Sequence, residues 1–65
     1  MKTTVTLFGL GVEVSFDNSK TFEFTTTSGD VYDQAAVTDD NRLIAFDNAV
    51  CAWVQLSGDA ASEGL

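Results

Sequence analysis

The sequence predicts a small all-β domain, with an α+β fold as the alternative, and three observations support this prediction. Apolar and polar residues alternate with the period of a β-strand in residues 3–8, 12–16 and 22–26. Turn-forming Asp, Asn, Ser and Gly residues separate such segments at a spacing of roughly ten residues. The chain has 65 residues, enough for a single domain. We therefore expect about five or six short strands in an antiparallel sheet that curls into a partial barrel or sandwich.

The first two segments flank Gly9-Leu10-Gly11, and the inward-facing positions change from odd to even numbers across these glycines. A shift of one residue moves every side chain to the opposite face of a sheet. The glycines therefore form either a tight turn between two strands or a bulge within one long strand. Residues 12–16 and 22–26 flank the turn-forming Asp17-Asn18-Ser19. We expect these two segments to pair as a hairpin.

Residues 31–37 follow a second turn at Ser28-Gly29-Asp30 and allow two interpretations. As a strand, they place Val31, Ala35 and Val37 on the inward face. As a short helical turn, they are capped by Asp30. The strand is the preferred interpretation, and a polar turn follows it at residues 38–41.

Residues 42–56 form the densest apolar block of the chain. A hairpin with Asp47 and Asn48 at its tip sets Arg42 opposite Trp53, a favourable cation–π arrangement. A helix capped by Asp47 is the alternative, but the strand alternation is more regular and we prefer the hairpin. One face of this hairpin carries Ile44, Phe46 and Trp53 together with Cys51. The other face is wholly aliphatic, and we expect one of the two faces to cover the domain core and the other to meet the N-terminal strands or a second subunit.

Residues 1–57 are expected to form the domain, and residues 58–65 have the composition of a solvated, flexible C-terminal tail. A single Cys excludes an intrachain disulfide, and the absence of His removes the usual zinc sites. For a chain this small, self-association is therefore the expected source of additional stability. A lone free Cys and the absence of a membrane-length apolar segment or a signal-peptide pattern indicate a cytoplasmic protein.

The residue types present make an enzyme improbable, and we predict no catalytic residue, cofactor or metal site. Nucleophilic triads need a base such as His, which the chain lacks. Cys51 lies in an apolar run and is expected to be a buried small hydrophobic residue. The Asp39-Asp40-Asn41 cluster lacks the ligand spacing of a calcium loop. The aromatic residues, Phe8 among them, are interpreted as core.

Charge is the clearest global property of the chain. Ten acidic residues and three basic ones give a net charge of −7. Such a charge repels nucleic acid and anionic membranes and attracts basic protein surfaces. The residues predicted to form an acidic partner-binding surface are Glu13, Asp17, Glu23, Asp30, Asp33, Asp39 and Asp40.

These observations lead to two functional hypotheses. In the first, the protein is a non-catalytic inhibitor whose acidic surface occupies the basic nucleic-acid-binding surface of a partner protein. Residues two apart on a strand lie ~6.8 Å apart, similar to the spacing of successive phosphates along one DNA strand. In this general character the chain is similar to small acidic DNA mimics such as phage anti-restriction and anti-CRISPR proteins, although it carries no motif of such a family. In the second, it is a structural module that self-associates or docks into a larger complex through a strand edge and the Trp53 face.

Overall fold

The computed structural model describes all 65 residues, which form six β-strands and one short 3-10 helix. Two antiparallel sheets are present, one with the order β1-β2 and one with the order β3-β4-β5-β6, and neither closes into a barrel. The all-β prediction is confirmed at this level, whereas the partial barrel is not confirmed. The elements are β1 (Lys2–Thr6), β2 (Glu13–Asp17), β3 (Phe22–Thr25), β4 (Val31–Val37), β5 (Leu43–Asp47), β6 (Ala52–Ser57) and the 3-10 helix (Ala60–Glu63).

β1 and β2 form the N-terminal hairpin, in which Val5 pairs with Val14. The glycines of residues 7–12 therefore form a turn between two strands, which decides between the two interpretations of that segment. The predicted pairing of residues 12–16 with 22–26 is wrong, because β2 pairs only with β1 and β3 pairs only with β4. The Asp17 carboxylate accepts hydrogen bonds from the backbone N–H and the hydroxyl of Ser19. This turn carries the chain from the first sheet into the second.

β4 is a strand, as preferred, but it contains a bulge. Phe22 pairs with Ala35 whereas Phe24 pairs with Tyr32, so β4 holds one more residue than β3 between these pairs. Ala35 is buried, as predicted, but Val31 and Val37 are exposed. The predicted inward positions assumed uninterrupted alternation, which the bulge breaks.

β5 and β6 form the predicted hairpin rather than the alternative helix, but its register differs. Phe46 pairs with Trp53, so the expected contact between Arg42 and Trp53 is wrong. The turn comprises residues 48–51 because Asp47 pairs with Ala52. Within it, the Asp47 carboxylate accepts a hydrogen bond from the Ala49 N–H, and Cys51 adopts a left-handed conformation with φ of 52°. Cys51 is exposed in this turn and is not the buried residue that its apolar neighbours predict.

The core lies between the two sheets. Its buried members come from the N-terminal hairpin and from β4 and β5, and they are Leu7, Val14, Phe16, Ala36 and Ile44. Trp53 packs against this cluster, with its ring centroid 4.8 Å from that of Phe16 and 5.8 Å from that of Phe46. Two backbone hydrogen bonds also join the sheets, from Phe8 N–H to the Trp53 carbonyl and from Asp39 N–H to the Ser15 carbonyl.

The C-terminal segment is attached to the domain, so the predicted solvated tail of residues 58–65 is not confirmed. Asp59 caps the 3-10 helix by accepting a hydrogen bond from the Ala61 N–H, and Gly64 ends it with φ of 81°. Ala60 is fully buried, and its N–H donates to the Asn41 carbonyl at 2.8 Å. The structure contains no helix with the length and apolar character needed to cross a membrane.

Candidate partner-binding surface

The direction of the strands gives the molecule two distinct ends. β1 begins at Lys2 and runs towards the loop of residues 7–12, and β5 begins next to Arg42 and runs towards the turn of residues 48–51. The hydrogen bond from Phe8 to Trp53 joins that loop to the strand that leaves that turn. The loop and the turn therefore lie at one end, called here the open end. The opposite end, which holds Lys2 and Arg42, is called the paired end.

The paired end contains every ion pair of the protein. The N-terminal ammonium lies 2.9 Å from an Asp17 carboxylate oxygen, Lys2 pairs with Asp39, and Arg42 pairs with Asp40 at 2.8 Å. Lys20, the remaining base, lines an open groove of about 460 Å³ together with Lys2, Asp17 and Asp39. All three basic side chains are therefore at this end.

Two carboxyl groups of the paired end are held in their ionised form. Hydrogen bonds from the Ser19 hydroxyl and the N-terminal ammonium keep the pKa of Asp17 below its usual range. For Asp40, a hydrogen bond from the Thr38 hydroxyl and the nearby Arg42 guanidinium likewise lower the pKa. Thr38 is buried, and its hydroxyl also accepts a hydrogen bond from the Arg42 N–H. The carboxylates of Asp17 and Asp40 therefore stabilise the fold through hydrogen bonds and ion pairs within the chain.

The seven residues of the predicted acidic surface therefore do not form one surface. Asp17, Asp39 and Asp40 lie at the paired end, where each faces a cation. Glu13, Asp30 and Asp33 lie towards the open end, because β2 and β4 begin there. None of these three residues forms an ion pair. Glu23 lies between the ends, on the edge strand β3, and is also unpaired.

One further acidic residue of the open end was not predicted. Asp47 ends β5 next to the turn, and Asp33 lines a shallow cavity of about 270 Å³ with Gln34, Phe46 and Asn48. The sequence predicts Asp47 at the hairpin tip, and Asp47 does stabilise the turn by accepting a hydrogen bond from the Ala49 N–H. This hydrogen bond does not neutralise the carboxylate, so Asp47 is both a turn residue and an acidic residue of the open end. The predicted position of Asp47 at the tip of the hairpin already indicates that its carboxylate lies at one end of the molecule.

The open end also exposes apolar side chains. Phe8 is 58% exposed and Leu10 is 53% exposed, which contradicts the interpretation of Phe8 as a core residue. Phe8 follows Leu7, which is buried in the core, and the Phe8 N–H donates to the Trp53 carbonyl while its side chain faces solvent. Val50, in the adjacent turn, is 40% exposed.

The predicted assembly or core face meets the core of its own domain. Ile44 is fully buried, and Trp53 and Phe46 are half-buried and contact each other. Ile44 is therefore inaccessible to a partner in the folded chain. The three residues share one face of the β5–β6 hairpin, as the alternation predicts.

No group of three or more His, Cys, Asp or Glu side chains is placed to hold a metal ion. Every buried side-chain nitrogen or oxygen has a hydrogen-bond partner within the chain. Comparison with protein families, curated proteins and solved structures finds no match to this chain. The carboxylates of the open end form no ion pair and its apolar side chains are exposed, so this end has charged and apolar groups that another molecule can contact.

Proposed function

We propose that this protein is a non-catalytic interaction protein whose open end binds a basic surface of a partner protein, one that otherwise binds nucleic acid. The observation that carries the proposal is the separation of charge along the molecule. All three basic side chains lie at the paired end, whereas Glu13, Asp30, Asp33 and Asp47 lie at the open end without an ion pair. The open end thus presents negative charge with no internal compensation.

Electrostatics of this kind acts mainly on the rate and selectivity of association. A one-signed field steers an oppositely charged partner towards the surface and disfavours wrong partners. Because the open end carries the field, the protein would approach a basic surface with the loop of residues 7–12 leading. Competition with nucleic acid follows from the same chemistry, since both ligands would occupy one set of basic side chains on the partner.

Charge reversal tests the proposal. The tagged protein is used to capture a partner from an extract, and the purified partner is then titrated calorimetrically with wild-type and variant protein. The double variant Glu13→Lys, Asp33→Lys should weaken binding by about tenfold or more, since neither side chain has a hydrogen-bond partner to lose and each faces the partner. Glu63→Lys is the control, because Glu63 is also exposed but lies in the 3-10 helix at the paired end. It should change the affinity by about twofold at most.

Two further measurements decide the nature of the partner surface. Binding should weaken steeply between about 50 and about 200 mM salt, and the charge-reversal variant should show a shallower dependence. Double-stranded DNA should displace the protein from the partner. A partner that binds DNA and this protein simultaneously would remove the nucleic-acid-site part of the proposal, and equal affinities for wild type and both charge variants would remove all of it.

A further inference from the structure

We infer that Phe8 and Leu10, with Val50 beside them, form the apolar anchor of the open end, which inserts into an apolar pocket bordered by basic residues on the partner. This inference rests on the proposed function and specifies how that same surface makes contact. Exposed apolar residues scattered singly are normal in proteins. A contiguous exposed patch, in contrast, marks an interaction site.

The three exposed residues lie at the same end of the molecule because a backbone hydrogen bond joins the loop of residues 7–12 to β6, the strand that follows the second loop. Phe8 and Leu10 alternate with Gly9 and Gly11 in the first loop. Phe8 N–H donates to the Trp53 carbonyl at 2.9 Å, and Val50 precedes Trp53 by three residues in the second loop. The exposed side chains therefore come from neighbouring backbone segments.

The loop is held rigidly in the conformation that exposes these side chains. Leu7 N–H donates to the Val12 carbonyl at 2.8 Å, and the N–H groups of Leu10 and Gly11 both donate to the Leu7 carbonyl. Gly9 and Gly11 have φ of 85° and 67°, a conformation that disfavours other residues. A rigid loop loses little conformational entropy on binding, and a few side chains that fill pockets of the partner carry most of the energy of an interface.

Charge decides between a second copy of the chain and a different protein as the occupant. Glu13 follows the loop, Asp47 precedes the turn, and no basic residue lies at this end. Two copies that met at their open ends would bring these unpaired carboxylates together, in chains that each carry a net charge of −7. Like charges across an interface are unfavourable. The complementary surface is an apolar pocket with a basic border.

Serine substitutions test the inference, with a synthetic amphipathic peptide of Leu and Lys as the probe and the captured partner as the second ligand. Phe8→Ser should raise the Kd of both ligands by about tenfold or more, and Leu10→Ser by about three- to tenfold. Leu65→Ser is the matched control, because Leu65 is 50% exposed, close to the 53% of Leu10, but follows the 3-10 helix at the paired end. It should bind both ligands like the wild type, and circular dichroism confirms that all three variants fold.

The remaining outcomes separate the two proposals. If Phe8→Ser and Leu10→Ser bind normally while Glu13→Lys, Asp33→Lys binds weakly, the apolar anchor is wrong and the acidic surface stands. If the charge variants bind both ligands normally, the result contradicts both the proposed binding to a basic surface and the inferred basic border of the pocket. Sedimentation equilibrium completes the test: a wild-type dimer that Phe8→Ser converts to a monomer would identify a second copy as the occupant and overturn the inference.

Discussion

The paired end and the open end of this protein use the same residue types in opposite ways. At the paired end, Asp17, Asp39 and Asp40 each lie against a cation, so the carboxylates hold the chain together. At the open end, Glu13 and Asp33 face solvent without a partner. Both groups of carboxylates contribute to the net charge of the chain, but only the unpaired carboxylates of the open end are available to another molecule. The comparison predicts that substitutions of the paired carboxylates and their partners change stability, whereas removal or charge reversal of exposed side chains at the open end changes binding.

The largest expected effect contrasts the two aromatic residues that share a hydrogen bond at the open end. Trp53→Ala should lower the free energy of unfolding by about 3 kcal/mol, because its ring fills the space beside Phe16 and Phe46. Phe8→Ala should change it by less than about 0.5 kcal/mol, because its side chain is mostly exposed. Urea unfolding followed by circular dichroism measures both. Equal losses would show that Phe8 belongs to the core after all.

A second prediction concerns Thr38, the buried polar residue that organises the paired end. Its hydroxyl donates to the Asp40 carboxylate and accepts from the Arg42 N–H. Thr38→Val keeps the shape but removes the hydroxyl, and should destabilise the fold by about 1–3 kcal/mol because the Arg42 N–H loses its partner. Thr38→Ser, which retains the hydroxyl, should recover most of this loss. Binding of the partner, corrected for the folded fraction, should be unchanged in both variants.

These contrasts also show which parts of the structure the sequence could predict. Strand segments were predictable, because alternation is local: residues 31–37 and the hairpin of residues 42–56 both contain the expected strands. Strand partners were less predictable, because the single apolar face of β2, formed by Val14 and Phe16, is compatible with pairing to either neighbouring strand in the sequence. The turn between β5 and β6 contains Cys51 in the left-handed conformation, which the residue preferences of Cys do not indicate.

The candidate site was predictable only in part for a related reason. The sequence identifies Glu13, Asp33 and Asp40 equally as acidic residues. Which of them meets a cation depends on where each strand begins and ends, because Arg42 and Lys2 both lie at strand starts on one side of the molecule. The backbone of Phe8 is positioned by a hydrogen bond to Trp53, a residue far away in sequence. The positions of the site residues are thus determined by pairing between segments that are distant in sequence, and local sequence patterns do not predict this pairing.

The third prediction tests whether the loop of the open end is held by backbone conformation. Gly11→Ala should destabilise the protein by about 1–2 kcal/mol, because φ of 67° is unfavourable for a residue with a Cβ. No atom lies within 4 Å of a Cβ placed at Gly11, so steric contact adds nothing to this effect. Gly58→Ala is the control: its φ is not in the left-handed region, and its Cβ would make an ordinary contact with Gln55 at 3.5 Å. A neutral Gly11→Ala would mean that the loop adopts another conformation.

The smallest effect concerns the pH dependence contributed by the paired end. The Asp17 carboxylate accepts hydrogen bonds from the Ser19 hydroxyl at 2.7 Å and from the N-terminal ammonium at 2.9 Å, and its pKa is lowered. The unfolded chain, with an ordinary Asp pKa near 3.9, therefore binds a proton at a higher pH than the folded chain. Stability must then rise with pH across this interval, so the contribution of Asp17 is complete above about pH 5 and is lost as the pH falls through the lowered pKa.

Asp17→Asn isolates this contribution. The difference in unfolding free energy between the wild type and Asp17→Asn should be constant from about pH 5 to about pH 7 and should shrink progressively below about pH 4. Ser19→Ala removes the largest cause of the lowered pKa and should give an intermediate dependence. Thermal unfolding at a series of pH values measures all three proteins. A difference that stays constant down to about pH 2 would show that the pKa of Asp17 is the same in the folded and unfolded states. The ion pair at Asp17 would then add nothing to the fold, and the contrast between the two ends would rest on Asp39 and Asp40 alone.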